Sequence, residues 1–499
     1  MIALSEGGFK YKILFFHNTI CMNFTKNLKE NLENLKAILK SDDINFLSLK
    51  VANKESYLIF AKELSDKDAL GQLVIKPLKE LDEKADEEDI FNVFYSPEKE
   101  ILNSIKKITD SVVLGDAVLL VDGLDKAFAF GLKKYEKRAI AEPPTSTVIK
   151  GPREGFVESL PVNVSLIRRK IKSPNLKFIN LSIGEYSNTP VSICYIEGIC
   201  DQSLVKEIEK KLKKISIDAV LDSSYVSKFL GEHKRSLFKQ VGNTEKPDIL
   251  AAKILEGRVA IFVDGSPIAL TVPYLLIEDF QSPSDYYGST YSATISRIIR
   301  FIAVYLSLSL PAFFVSAELF HMQFIPLSFL LTIENSIKGI PLSPSYEMFV
   351  TLFIFEILNE ASVRMPRYVG MVVSIVGGLV LGETAVNAGI ISAPTLMIVA
   401  FSGICLYTVP ELNQSLSVAR LIFLIVAGSI GAYGILALST FFMLYLVSFE
   451  CYQTPLLAPF SPLVTSDLKD AIFKGFISDQ QMRPKSIRNQ NKKRINPNN

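Results

Sequence analysis

Between Asn23 and Lys40 the chain is rich in Lys, Glu and Asn, and its apolar residues fall at Leu28, Leu32, Leu35 and Leu39. That spacing puts them on one face of an amphipathic helix. Short apolar runs at Phe46–Val51 and Tyr57–Ala61 read as strands, a helical stretch follows near Ala69–Leu81, and Asp82–Asp89 reads as a polar loop. After Tyr291 the pattern changes. Uncharged stretches cover Phe301–Ala317, Tyr368–Gly382, Thr384–Pro410 and Leu421–Phe449. A helix needs about 20 apolar residues to cross a bilayer, so these predict about four spans. From His321 to Met365 the apolar runs are interrupted by Pro326, Pro341 and Pro344, which predicts a broken or re-entrant segment. Within it Glu356, Glu360 and Arg364 recur every fourth residue as one charged stripe, which should face protein or water, not lipid.

The first part contains an internal repeat. Gly115 to Gly123 reads GDAVLLVDG and Gly257 to Gly265 reads GRVAIFVDG, aligned without a gap. Each is an apolar strand closed by Asp-Gly, a dipeptide suited to a tight hairpin because both positions tolerate positive φ. Upstream of each, a short apolar run (Tyr57–Phe60, Ser192–Ile196) precedes a Lys- and Glu-rich helix (Asp66–Leu81, Gln202–Ile215). The expectation is two α/β subdomains of similar topology, 23–140 and 151–294, joined by a linker at 141–150 that holds Pro143 and Pro144. The helical domain then covers 295–449, and a tail that is first Pro-containing and then basic covers 450–499.

The segment from Gly151 predicts an amphipathic helix. Pro152 suits its first position, Glu154 and Glu158 its positive end, and Arg168, Arg169 and Lys170 its negative end, with a kink at Pro161. Phe156, Leu160, Val164, Ile167 and Ile171 line its apolar face. Its charged residues Arg153, Glu154, Arg168 and Arg169 are candidates for a subunit or subdomain contact. In the apolar part, Gly370, Ser374, Gly378 and Gly382 recur every fourth residue, so that helix backbones can approach closely, and Glu383 follows at once. This stripe reads either as a tight helix pair or as a helix crowded around a pore, with Glu383 at the mouth or at the membrane surface.

Composition narrows the classes. Of the 499 residues 48% are hydrophobic and 21% charged, but only seven acidic and four basic side chains lie between Phe301 and Phe449. The formal net charge of +2 argues against a nucleic-acid binder. Five scattered cysteines and three distant histidines give no metal site, disulfide framework or cofactor motif. No P-loop, H-E-x-x-H or G-x-S-x-G string is present, and Asp122 and Asp264 sit in turn strings, so no enzymatic reading is supported. Tyr11 to Cys21 is too polar for a signal peptide, which leaves the water-soluble region in the cytoplasm. After Phe449, eight Lys and Arg against four acidic residues favour the cytoplasmic side for the tail as well. Residues 1–22 carry no pattern, and a start near Met22 is expected.

Gly151 to Phe156 (GPREGF), Glu256 to Asp264 (EGRVAIFVD), Glu278 to Tyr287 (EDFQSPSDYY), Ser374 to Gly382 (SIVGGLVLG) and Pro455 to Phe460 (PLLAPF) together resemble the A subunit of GerA-type spore germinant receptors. The similarity runs in order from Asn23 to Phe460. It implies a multidomain, multi-pass protein of the spore inner membrane, with two cytoplasmic α/β subdomains followed by an α-helical transmembrane bundle. It further implies a transporter-like B subunit and a lipoprotein C subunit as partners, and a homo-oligomeric ring of A subunits acting as a nutrient-gated cation channel. A non-conducting scaffold for the B and C subunits is the alternative expectation.

Overall fold

The computed structural model describes residues 24–82, 85–94, 98–134, 151–364 and 382–494. The expected upstream extension, the linker, and Gly370, Ser374 and Gly378 lie outside them. The chain divides into two compact units. One holds both α/β repeats together with the residues from Ile477 onward; the other holds Leu275–Phe476 together with Arg235–Lys239. The boundary thus falls at Tyr274, some twenty residues before the expected one at 294, and the expected single tail is shared between the units.

In the first repeat, α1 (Leu28–Ile38) leads into the hairpin β1 (Ile44–Val51) and β2 (Lys54–Ala61). The helical run α2 passes from Lys67–Ala69 through a π turn, Leu70–Ile75, to Lys76–Lys79. There follow α3 (Glu87–Asn92), β3 (Lys99–Leu102), α4 (Ile105–Leu114), β4 (Ala117–Val121) and β5 (Ala127–Phe130). The second repeat has the same succession: α5 (Leu160–Lys170), β6 (Leu176–Ile183), β7 (Thr189–Ile196), α6 (Gln202–Lys213), α7 (Ser223–Leu230), β8 (Gly242–Thr244), α8 (Pro247–Leu255), β9 (Val259–Val263) and β10 (Ala269–Val272). The sheets run β1-β2-β4-β5-β3 and β6-β7-β9-β10-β8, the same order twice, with antiparallel neighbours.

The repeat strings occupy equivalent places, and each glycine in them has its own task. Gly115 and Gly257 end α4 and the α8 turn in the left-handed region, with φ of 100° and 106°. Gly123 and Gly265 (φ 81° and 84°) take the third position of a turn closed by Leu124 N–H to Val121 O and by Ser266 N–H to Val263 O. Positive φ there is the type II signature. The hairpin loops therefore have five residues, not two, and neither Asp122 nor Asp264 has positive φ, which corrects the tight-turn expectation.

Matched backbone bonds extend the equivalence beyond the strings. The Asp122 N–H reaches Glu55 O and the Asp264 N–H reaches Pro190 O, each at the second residue of the neighbouring strand, β2 or β7. Phe24 bonds to Asn103 O and Phe156 to Glu245 O, in each case one residue past the short third strand. Asn31 and Asn163, fourth in their helices and 1% exposed, each clamp a backbone six residues upstream. Asn31 accepts from Thr25 N–H and donates to Thr25 O; Asn163 does the same with Val157. A buried amide satisfied on both sides fixes the entry of the helix at little cost in unpaired groups.

The five-residue apolar runs exist because both faces of each sheet are covered. Val118 and Leu120 of β4 pack under α1 and α4, whereas Leu119 and Val121 pack against α2 and α3. In the second repeat, Ala260 and Phe262 of β9 pack beneath α5 and α8. The helix expected from Gly151 begins only at Leu160, capped at Ser159, and Pro161 sits in its first turn, where a missing N–H costs nothing, so there is no kink. Residues 151–159 are not helical, although Phe156, Leu160, Val164, Ile167 and Ile171 are all buried.

One feature of the second repeat comes from far away. In the first repeat, Lys133 bridges Ser65 and the Lys134 N–H donates to Leu64 O at 2.9 Å, immediately after β5. In the second, Asn489 bridges Cys200 and the Gln490 N–H donates to Ile199 O at 2.8 Å. Lys133 flanks Gly115 as Asn489 flanks Gly257. Residues from the end of the chain thus occupy the place that the first repeat fills with its own continuation, and Arg483 Nε anchors them on Leu255 O at 2.7 Å.

The second unit begins with the 3-10 turn Leu276–Phe280 and α9 (Pro283–Tyr287). Its helices are α10 (Thr290–Phe320), α11 (Leu327–Ile337), α12 (Pro344–Arg364), α13 (Gly382–Asn387), α14 (Ala393–Leu406), α15 (Asn413–Ile430) and α16 (Ala432–Val447). Among the described residues two helices, Thr290–Phe320 and Pro410–Ile430, are long and apolar enough to cross a membrane. Several expected spans are divided. Leu421–Phe449 bends at Gly431 (φ 74°) into α15 and α16, and Thr384–Pro410 is interrupted before Ser392, which caps α14. Conversely, the expected broken segment contains one continuous 21-residue helix, α12, with Pro344 as its first residue. Inside the unit, Leu308 and Ala312 of α10 meet Ala419, Phe423 and Ala427 of α15, and Val315 meets Met348, Leu352 and Val399. Small residues here let backbones approach closely.

Candidate functional site

Three groups of polar side chains organise the second unit. The first lies within the helix bundle. Arg420 of α15 is 1% exposed and ion-pairs with Glu356 of α12, while its guanidinium contacts Ser402 Oγ and lies 5.8 Å from the Phe355 ring centroid. Glu360 and Arg364 pair with each other one turn apart on an exposed surface. The stripe read from the sequence therefore divides. Glu356 turns to another helix and the other two to each other, because Arg420, 64 residues away, could not be matched to it by spacing. Glu347, at the start of α12, is 1% exposed and accepts from the backbone N–H and the hydroxyl of Ser392, both at 2.7 Å. Gly382 is buried against Leu396, and Glu383 beside it is exposed.

The second group clasps the base of α10. Arg297 is fully buried and donates to Asp285 Oδ2 at 3.2 Å, to Asp470 Oδ1 at 3.0 Å and to the carbonyls of Asp470 and Ala471. Arg300 binds both oxygens of Asp285, at 2.7 and 2.9 Å. The Lys474 ammonium donates to Asp285 O. The clasp therefore joins EDFQSPSDYY to the segment after PLLAPF, which explains why two strings distant in sequence belong together.

The third is the loop Arg235–Lys239. The Leu237 N–H donates to Tyr445 Oη at 3.2 Å and its carbonyl accepts from Ser415 Oγ at 2.6 Å. The Phe238 ring meets Phe442 edge-on at 5.7 Å, and Lys239 bridges Asp279 and Glu411. No sequence pattern marked this loop; its only hint was an apolar Leu-Phe pair in a polar stretch.

In the first unit the candidates after Gly151 separate. Arg169 and Lys170 lie 3.5 Å from Glu154, partly exposed, and Arg153 stands in the same extended segment. Arg168 is different. It is 1% exposed and grips Asp43 of the first repeat with Nε and Nη2, at 2.7 and 2.9 Å. Around this pair the α1–β1 loop docks on strand β6: the Asp42 N–H donates to Phe178 O, the Phe178 N–H to Ser41 Oγ and the Asn180 N–H to Asp42 Oδ2. That covers the outer edge of the second sheet, a place where an uncovered strand invites wrong pairing.

Beside it Lys177, 2% exposed, donates to Ile38 O at 2.6 Å. Burial pushes its pKa down to about 8, with Glu197 opposing the shift. Below pH 8 the lysine is charged in both folded and unfolded chains. Between pH 8 and its ordinary value of 10.5 the unfolded chain holds the proton that the folded one has lost, so stability rises with pH through that window. The denaturant midpoint of wild type is therefore expected to gain on that of Lys177→Met between pH 8 and 10. Parallel pH profiles would show a hydrated ammonium.

Among the described residues no group of three or more His, Cys, Asp or Glu could hold a metal ion. The family model "Bacillus/Clostridium GerA spore germination protein" matches residues 26–486. Spore germination protein KA of Bacillus subtilis (strain 168) is 34% identical over 95% of this chain and 88% of its own length. Spore germination protein GerQA of Bacillus cereus is also 34% identical, over 94% and 95%. A crystal structure of the N-terminal domain of the A subunit of the Bacillus megaterium spore germinant receptor GerK3 covers 51% of this chain and 98% of that one, at 29% identity and a TM-score of 0.40. With the model matched from the first repeat to the chain's final docked segment, this chain belongs to the GerA family of spore germination proteins.

Proposed function

We propose that this protein is the A subunit of a germinant receptor, an integral protein of the spore inner membrane that works with a transporter-like B subunit and a lipoprotein C subunit. The observation that carries the membrane reading is the inverted surface of the second unit. Its helices seal small and polar residues inside, such as Ala312, Ser307 and Ser402, while Ile404, Leu436 and Phe441 are 66%, 62% and 70% exposed. In water such a surface is unfavourable; in lipid it is the solvated one. The return of the chain from Ile477 to the unit holding both α/β repeats supports an even number of crossings, with both ends on the core side.

The finer reading is a homo-oligomeric ring forming a nutrient-gated cation channel. An ion needs a lined path, because a charge at the bilayer centre costs at least about 2.5 to 3.5 kcal/mol. One Glu383 per subunit would form a ring of negative charge that concentrates cations. Slower cation release is expected from spores carrying Glu383→Gln or Gly378→Leu at matched protein abundance. Normal release and selectivity in both would remove Gly378 and Glu383 from the conduction path. The second reading, a non-conducting scaffold for the B and C subunits, is favoured if purified protein in planar bilayers passes no single-channel current.

A further inference from the structure

Glu318 stands in the last turn of α10 and is 7% exposed. Among the described residues nothing donates a hydrogen bond to it and no Lys or Arg pairs with it; the charged group it meets is a second carboxylate, Glu347. Packing explains the encounter. Val315 of α10 lies against Met348 of α12, Glu318 follows Val315 by three residues on the same helix face, and Glu347 immediately precedes Met348. The two carboxylates are near enough to repel one another, yet no hydrogen bond joins them. His321, one turn past Glu318, supplies no counter-charge, because it turns to the rings of Phe324 and Tyr433, 5.9 and 6.3 Å away.

The surroundings of the pair are built of oxygen. Glu347 Oε1 takes both donors of Ser392, the cap of α14, and Oε2 accepts no bond among the described residues. Ser392 Oγ in turn lies 2.9 Å from Thr395 Oγ1, and both side chains are buried. Negative charge is favourable at the starts of α12 and α14 and unfavourable at the end of α10, where Glu318 lies. A buried carboxylate with a like charge beside it and no donor is stable only if a positive charge joins it. Hard cations take oxygen ligands, and helix ends inside membrane bundles are places where sodium ions are held. With no third His, Cys, Asp or Glu gathered there among the described residues, the set suits a monovalent ion and not a divalent or transition one.

We propose that Glu318 and Glu347, with the hydroxyls of Ser392 and Thr395, hold an alkali-metal ion within the helix bundle of a single subunit. The ion joins the end of α10 to the starts of α12 and α14. A site inside one bundle requires neither a ring nor conduction, so it goes beyond the channel reading above.

Purified full-length protein in detergent is expected to bind radioactive sodium or rubidium saturably, with competition by sodium or potassium chloride and none by N-methylglucamine chloride. Glu318→Gln is expected to weaken that binding at least about tenfold, the loss ordinarily seen when even an outer-shell partner of a metal is removed. Glu360→Gln, in the exposed pair, should bind as wild type does. Because a variant can fail to fold, the wild type supplies a second readout. Dicyclohexylcarbodiimide modifies buried protonated carboxyls, and saturating sodium or potassium is expected to protect Glu318 from it, as read by peptide mass spectrometry. Wild type that binds neither ion, Glu318→Gln that binds as well as wild type, or labelling of Glu318 that ignores both ions would overturn the inference. The last is the signature of a carboxyl that holds only a proton. Each outcome is separable from failure of the channel reading, since a scaffold that passes no current can still bind the ion.

Discussion

Replacing Arg168 by alanine is expected to destabilise the α/β unit by about 3 to 5 kcal/mol, because Asp43 is left buried and ionised without its partner. The side chains are 1% and 5% exposed, so solvent cannot take over the lost bonds. The same substitution removes the hold on Ser173 O and loosens the Ser41–Asp43 loop from the edge of β6. Loss of the folded protein is the expected phenotype, seen as a lower denaturant midpoint and lower abundance in spores. The double variant Arg168→Met with Asp43→Leu should recover part of the loss, since an apolar pair of similar volume replaces a desolvated ion pair at little cost. If Arg168→Ala unfolds at the wild-type midpoint, the two repeats are held together by something other than this bond.

The second large effect is expected at Arg420. Arg420→Leu strands Glu356 among apolar helices, which on the membrane-spanning reading proposed above costs at least about 2.5 to 3.5 kcal/mol. Glu356→Gln strands the arginine in turn. Because each single variant leaves one charge stranded and the double variant leaves none, their effects should be strongly non-additive, and the double variant should melt in detergent above the worse single one. Additive melting shifts would show that the two side chains do not depend on each other. Glu360→Gln and Arg364→Gln serve as controls: that pair is exposed, and such pairs contribute about 0 to 1 kcal/mol.

How much of this was legible in the chain follows from the range of each interaction. The paired glycine strings were readable because turn and cap chemistry is local, and they correctly marked equivalent hairpins; the turn type was misjudged because Asp-Gly serves two-residue and longer loops alike. The third strands were missed since Gly242–Thr244 and Lys99–Leu102 are too short for a period to register. The uncharged stretches located the apolar unit, but hydropathy cannot distinguish a single crossing from two helices joined at Gly431. Among candidate site residues, Glu360 and Arg364 pair at helical spacing and could be read as partners. Arg168 with Asp43, Arg420 with Glu356 and Arg297 with Asp470 join residues separated by 125, 64 and 173 positions. No single-sequence pattern reports such distances. The loop Arg235–Lys239 was invisible for the same reason.

The docking of Asn489 and Gln490 beside Cys200 also sets an order of events during synthesis. The first repeat possesses all its pieces once about 134 residues have left the ribosome, and domains generally fold as units from the N-terminus. The second repeat does not. Its gap beside Ile199 and Gly257 can be filled only after the apolar helices have been made and Asn489 and Gln490 have emerged. Its final closure therefore follows helix synthesis, so a nascent chain stalled anywhere before Ile477 exposes an unfinished second repeat to chaperones and proteases.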